Sequence, residues 1–175
     1  MREEQKTTTT TADVPYAFPG FEANLIRELE GLFAALPAGA ARLQITRVPS
    51  HPEWLEPYFE VIPTNPGAAR LKGVAVKTDL DLTIGEAARR EFVGFARGGT
   101  VVKGSTWQEE FRWIWLAVVR GGFTEHIYRN SAGKSIGSAT KLSVNGKDVV
   151  IRNGRRAERL FGRERAERIS YEPYV

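Results

Sequence analysis

The chain of 175 residues is the size of one domain and is long enough to bury a hydrophobic core without cross-links. It contains no cysteine, which excludes disulfide bonds, thiolate metal sites and cysteine nucleophiles. The formal net charge is +4, and residues 151–175 contribute +3 of it because they hold seven arginines and four glutamates. The rest of the chain is almost neutral, so an electrostatic partner is expected at the C-terminal segment.

Residues 1–17 are polar, include five consecutive threonines and show no hydrophobic periodicity, which predicts a disordered leader. The sequence has no hydrophobic signal core and no apolar run near the ~20 residues that a membrane span requires. We therefore expect a cytoplasmic protein with no membrane partner, with a single domain over residues 18–154.

Two helices are predicted from apolar residues that recur at three- and four-residue steps. The first runs from Phe21 to Leu36 and the second from Thr106 to Val119. Thr106 and Glu109 have the spacing of a capping box, and Gly121 ends the second helix. Its three tryptophans are interpreted as core residues because of their helical spacing, with an aromatic binding surface as the alternative.

Alternation of apolar and polar residues predicts strands within 41–48, 58–63, 69–85, 90–95, 123–129, 135–144 and 148–152. The stretch 69–85 is either one long strand or two strands with a kink at Thr78-Asp79. Asn145-Gly146 is typical of a two-residue hairpin turn, which would place Val144 opposite Lys147.

These elements predict one α+β domain with a mainly antiparallel sheet, covered on one face by the two helices and completed by a C-terminal β-meander. Residues 155–175 follow as a basic, arginine-rich C-terminal segment. A partial stripe of Ala157, Leu160 and Phe161 predicts that this segment is helical in part.

The stretch SAGKS at residues 131–135 contains the Gly-Lys-Ser of a phosphate-binding loop. That motif needs a glycine at the position of Tyr128, and a helix must follow it, whereas a strand pattern begins at Ile136. We therefore interpret residues 130–134 as a hairpin turn and expect no nucleotide or other cofactor.

Two further pairs of polar residues have the spacing of possible sites. Asp79 and Asp81 resemble an Asp-x-Asp metal-binding pair, but polar positions on the solvent face of a half-buried strand explain them better. His126 next to Glu125 suggests a general base, although neighbours in a strand point to opposite faces. His51, in a proline-rich loop, is interpreted as a surface residue, so no metal or catalytic site is predicted.

The arginine-rich segment is the strongest candidate for binding a partner, because clustered arginines contact phosphates or acidic surfaces. The alternative is a solvated helix in which glutamates such as Glu164 pair with arginines such as Arg168. The candidate residues are Arg152, Arg155, Arg156, Arg159, Arg163, Arg165 and Arg168.

The stretches EVIPTNPGAARL, DLDLTIG and AVVRGGFTEHIYR, with a closing hairpin that contains NGK, resemble small uncharacterised bacterial α+β proteins. The resemblance covers residues 59–152 and rests on structural positions. It implies the fold and supplies no catalytic residues.

We expect a non-catalytic protein-binding module, of the toxin-neutralising (immunity) kind or an accessory subunit. The alternative is a nucleic-acid-binding protein that uses the arginine-rich segment. An enzyme with a small hydrolase-like site near His126 and Glu125 is a third class.

Overall fold

The computed structural model describes residues 20–51, 54–92, 94, 96, 102–144, 146–153 and 166–175. The predicted leader and the residues between 154 and 165 lie outside these ranges. The described residues form two helices and mostly antiparallel strands, which confirms the α+β class. Neither of these helices has the length and apolar character needed to cross a bilayer.

Both helices form where the apolar periodicity places them. Helix α1 spans Phe21–Ala34 and helix α2 spans Trp107–Arg120. The predicted capping box is confirmed, since the Thr106 hydroxyl accepts from the Glu109 N–H at 3.3 Å and the Glu109 carboxylate accepts from the Thr106 N–H at 2.8 Å. The cap satisfies N–H groups that the first turn of α2 leaves without helical partners.

The first sheet is an antiparallel meander in which each strand pairs with the next one along the chain. Residues 69–85 form two strands, because the chain turns at Lys77-Thr78, where Lys77 has a φ of 55°. Inward and outward positions alternate along both strands, as expected for a sheet with one buried face. Its strands are β1 (Ala41–His51), β2 (Trp54–Pro63), β3 (Leu71–Val76), β4 (Asp79–Ile84) and β5 (Ala88–Phe92).

The second sheet contains the predicted C-terminal meander and one further strand. Val144 lies opposite Lys147, as the Asn145-Gly146 turn predicts. The strand order is β8-β7-β6-β9, so the last strand pairs with β6 at the edge away from the meander. The strands are β6 (Thr124–Arg129), β7 (Ser135–Val144), β8 (Lys147–Asn153) and β9 (Ala166–Ser170).

One sequence prediction needs correction. The single predicted sheet is two sheets, because α2 separates β5 from β6 along the chain and the strands on each side of it pair among themselves. Within the arginine-rich segment, residues Ala166–Ser170 form strand β9. The positions of its predicted helical stripe lie outside the described residues.

One hydrophobic core joins both sheets to both helices. Phe111 of α2 meets Phe59 of β2 edge to face, with ring centroids 6.3 Å apart, and both side chains are fully buried. Phe21 of α1 contacts Trp107 of α2 in the same geometry at 5.1 Å. Such aromatic pairs add about 1 kcal/mol each to the free energy gained from burying their area.

Residues 171–175, here called the C-terminal strap, bind the C-terminal end of α2 to the loop between β2 and β3. The Tyr174 N–H donates to the Val119 carbonyl at 2.9 Å, and the Tyr174 hydroxyl donates to the Ala69 carbonyl at 2.8 Å. The Glu172 N–H donates to the Gly67 carbonyl at 2.9 Å. The strap therefore passes through a narrow gap between two distant parts of the chain.

The narrow gap explains why the residue that follows α2 is a glycine. Gly121 has φ 61° and ψ −152°, and a Cβ there would overlap the backbone carbonyl of Glu172. We expect Gly121→Ala to lower the free energy of unfolding by about 3–4 kcal/mol, because backbone atoms of the strap must move. Gly122→Ala is the matched control, since Gly122 also has a positive φ, 78°, with nothing within 4 Å of the added Cβ.

The Gly122→Ala control should lower the free energy of unfolding by only about 1–2 kcal/mol, because alanine is disfavoured in a left-handed backbone conformation. Urea denaturation of both variants measures the difference. Equal losses would contradict a close approach of the strap at Gly121.

Candidate functional site

The SAGKS stretch forms the turn between β6 and β7, as predicted. The Asn130 N–H donates to the Lys134 carbonyl at 2.9 Å, and the Asn130 side chain accepts from the N–H groups of Ala132 and Lys134. The side chain of Asn130 therefore organises the loop. The N–H groups of Ala132, Gly133 and Lys134 all donate to Asn130. The loop is followed by strand β7, whereas a phosphate-binding loop is followed by a helix.

The two aspartates of β4 have local partners. Asp81 forms a salt bridge with Arg89 of β5, and Asp79 accepts from the Gly94 N–H at 2.7 Å. Among the described residues, no group of three or more acidic or histidine side chains is placed to hold a metal ion. The geometry supports the interpretation of Asp79 and Asp81 as structural polar residues.

Glu125 and His126 lie on opposite faces of β6. Glu125 is fully buried between the two sheets, whereas His126 is half-buried on the other side. The structure therefore does not bring this carboxylate to the imidazole, which agrees with the strand geometry. His51 ends β1, on the other sheet.

The buried carboxylate of Glu125 accepts hydrogen bonds at both oxygens. Oε1 accepts from the Ala87 N–H at 2.9 Å and from the Thr140 hydroxyl at 3.4 Å. Oε2 accepts from the Tyr171 hydroxyl at 2.7 Å and from the Glu86 N–H at 3.1 Å. Because four donors surround it, Glu125 serves to hold the turn between β4 and β5 against the second sheet.

A row of residues crosses all four strands of the second sheet on the face opposite Glu125. Residues directly opposite each other in antiparallel strands have side chains on the same face. The row spans three strand spacings, about 14 Å. In sheet order it consists of Arg152, Ala139, His126 and Arg168.

The row contains two of the seven candidate arginines. Arg152 on β8 and Arg168 on β9 lie at opposite edges of the sheet, both exposed, with His126 between them. The face that carries this row is called the outer face. The other candidates, Arg155, Arg156, Arg159, Arg163 and Arg165, lie outside the described residues.

A groove runs along the outer face to the C-terminal end of α2. A cavity of about 440 Å³ over β6, β7 and β8 and a cavity of about 500 Å³ beside α2 share Gly122, Phe123 and Lys141. The two cavities adjoin at these residues and are together called the outer groove. The side chains that decide its chemistry are Trp113, Leu116, Arg120, His126, Lys141, Asp148 and Arg152.

The outer groove combines charged side chains with one apolar end. Among the described residues that line it, Arg120, Lys141 and Arg152 are cations and Asp148 is a carboxylate. Asp148 lies 2.6 Å from the Lys141 ammonium. Leu116, 39% exposed, marks the apolar end.

A larger polar cavity of about 750 Å³ lies between the sheets beside the strap, and its charges are mostly paired. Lys72 lies 3.4 Å from the Glu60 carboxylate, and Arg129 lies 2.6 Å from that of Glu167. Both of these cations therefore have a carboxylate partner. In the outer groove, Arg120 makes no ion pair among the described residues.

Sequence reasoning missed the groove because its residues come from α2, from β6 and from the β7-β8 hairpin. The sequence contains one indication of the groove, which is the position of Leu116. It lies off the buried stripe of Phe111, Trp115 and Val118, so its side chain faces away from the core.

Replacing the buried carboxylate tests its structural role. We expect Glu125→Gln to lower the free energy of unfolding by about 2–3 kcal/mol, because an amide N–H₂ would face donors and leave them unpaired. Glu167→Gln is the control: its exposed salt bridge with Arg129 should be worth under about 1 kcal/mol. Urea denaturation at neutral pH gives both values, and a neutral effect of Glu125→Gln would contradict the network.

The strap tyrosines make stability sensitive to alkaline pH. Burial raises the pKa of Tyr171, as do its hydrogen bond to Glu125 and the charge of that group, and burial also raises the pKa of Tyr174. A tyrosine in the unfolded chain ionises near pH 10, whereas these two phenols stay protonated at that pH in the folded protein. The stability that they contribute below about pH 10 is therefore lost as the pH rises. Unfolding free energies of the Tyr171→Phe, Tyr174→Phe double variant should fall less steeply above that pH than those of the wild type. Parallel curves would show that these phenols do not cause the loss.

Comparisons with protein-family models, with curated protein sequences and with solved structures give no significant match. No family is therefore assigned to the chain, and its function is argued from the geometry.

Proposed function

We propose that this protein is a non-catalytic protein-binding module, of the toxin-neutralising (immunity) or accessory kind, that acts in the cytoplasm. Its partner binds at the outer groove. The observation that carries the proposal is the exposed Leu116 next to Arg120, which makes no ion pair among the described residues. Interfaces commonly combine a buried apolar centre with charged groups at the rim.

A protein partner is favoured over a nucleic acid by the aromatic residues of the outer face. Proteins that bind single strands present aromatic rings on which bases stack. Phe123 is 7% exposed and Tyr128 is 3% exposed, so among the described aromatic residues of the groove only half-buried Trp113 is available to a base. Nucleic-acid binding through the arginines between residues 155 and 165 is the alternative that the experiment below distinguishes.

The absence of a catalytic role is supported by the positions of Glu125 and His126. The oxygens of Glu125 are occupied by four donors, and a general base needs a lone pair that can reach a substrate. His126 reaches the outer face without a carboxylate next to it in its row. A binding module needs neither residue as a catalyst.

The proposal is tested by affinity purification from the native host, with and without nuclease. We expect one protein to be retained in stoichiometric amount after nuclease treatment. The purified pair is then titrated with the Arg152→Glu, Arg168→Glu double variant, which should weaken binding about tenfold or more, because it places carboxylates opposite an acidic partner. Arg42→Glu is the matched control, since Arg42 is an exposed strand arginine on the first sheet.

The possible outcomes separate the three functional classes. Retained material that disappears with nuclease, and that also disappears when Arg155, Arg156, Arg159 and Arg163 become alanine, would replace the proposal by nucleic-acid binding. Equal losses of affinity for the double variant and for Arg42→Glu would show that the partner does not use the outer face. A defined turnover that depends on His126 would establish an enzyme.

A further inference from the structure

The first sheet ends in a long strand that has a neighbour on one side only. β1 contains 11 residues and, among the described residues, pairs with β2 alone. The other strands at sheet ends are shorter, since β5 and β9 contain 5 residues each and β8 contains 7. The open edge of β1 presents N–H and C=O groups that can bond the backbone of another strand.

The register between β1 and β2 shows which backbone groups lie on this open edge. The Thr64 N–H donates to the Ala40 carbonyl at 2.9 Å, one step beyond the pair Ala41 and Pro63. Bonded and non-bonded pairs alternate along an antiparallel ladder, so the even-numbered residues of 42–46 bond β2. The pair Ala41 and Pro63 is then a non-bonded one, which agrees with the missing N–H of proline. The N–H and C=O groups that point away from β2 belong to Ala41, Leu43 and Ile45.

The side chains along this edge are apolar on the inner face and are not completely buried. Leu43 and Ile45 pack against the core but remain half-buried, and the residue between them is exposed on the other face. Phe59 of β2 and Leu82 of β4 are fully buried in the same core, on strands that have a neighbour on each side. A further strand with apolar residues on its inner face would therefore remove the rest of Leu43 and Ile45 from water.

A second copy of β1 supplies a strand of this kind. A two-fold axis at Gln44 places Leu43 of one copy opposite Ile45 of the other, so the two residues exchange both of their outward backbone hydrogen bonds. On the exposed face, Gln44 lies opposite Gln44, where the two amides can bond each other, and Arg42 lies opposite Thr46. In this register apolar residues meet apolar residues, and no like charges face each other at these positions. The edge is therefore complementary to itself, as the interface of a closed two-fold dimer must be.

We propose that the protein forms a two-fold dimer in which β1 of each copy pairs antiparallel with β1 of the other. The two first sheets then become one continuous sheet, with the apolar residues of both copies on its inner face. The dimer interface belongs to the first sheet, whereas the outer groove belongs to the second sheet and α2. The tests below use the full chain without a partner, so their results are independent of the proposed function.

Sedimentation equilibrium and hydrogen exchange test the dimer and its location together. The chain should change from monomer to dimer as its concentration rises through the micromolar range. Over the same range, the exchange of the Leu43 and Ile45 amides should slow about tenfold or more, because their N–H groups become hydrogen-bonded. The Gln44 amide is the internal control, since it bonds β2 in the monomer as well. A monomer at every concentration, or a dimer that leaves the Leu43 and Ile45 amides unprotected, would overturn the proposal.

Charge variants at the axis test the register. Gln44→Lys and Gln44→Glu each place two like charges opposite each other, so each alone should raise the dimer dissociation constant about threefold to fivefold. An equimolar mixture of the two variants should form a mixed dimer at least as tight as the wild type, because a lysine then faces a glutamate. Ser143→Lys, at an exposed position of the second sheet, is the matched control and should leave the dissociation constant unchanged. Thermal unfolding confirms that each variant is folded, and a mixture no tighter than either variant alone would contradict pairing about Gln44.

Discussion

The arrangement of the two sheets depends on one buried charge. The Glu125 carboxylate is out of contact with water, and an ion in that position is tolerated only when donors replace its hydration. Two of its donors are backbone N–H groups of the turn that joins β4 to β5, and one is the hydroxyl of Tyr171 in the strap. The first sheet, the second sheet and the strap therefore meet at this side chain, within the hydrophobic core that both sheets share. Since the outer face is the reverse side of the same strand, its orientation follows from this contact.

Most of the local structure could be predicted from the sequence, because each signal lies within a few residues. The capping box at Thr106 and the Asn145-Gly146 turn each specify their own geometry without help from distant residues. The division into two sheets and the pairing of β9 with β6 could not be predicted in this way. Both depend on contacts between residues far apart in the sequence, as the bond from Tyr174 to Ala69 across 105 positions illustrates.

The candidate site was predicted only in part, for a related reason. The sequence concentrates arginines near the C-terminal end, and this composition drew attention to all seven of them. Strand pairing selects Arg152 and Arg168 by placing them in register with His126, which no count of charges could predict. Lys141 and Leu116 belong to unrelated stretches of sequence and become neighbours of one groove only after α2 packs beside β7. Sequence reasoning therefore directed attention to positive charge and did not identify the exposed Leu116.

The strand order of the second sheet also has a kinetic consequence. The meander of β6, β7 and β8 forms from neighbouring residues, whereas β9 joins β6 only after the chain has passed residue 165. Until then one side of β6 presents unpaired N–H and C=O groups, which are a template for pairing with another chain. Contacts of such long sequence separation form slowly, so this open edge persists during folding. The chain is therefore most exposed to intermolecular strand pairing just before β9 closes the sheet, so we expect its refolding yield to fall as the protein concentration rises.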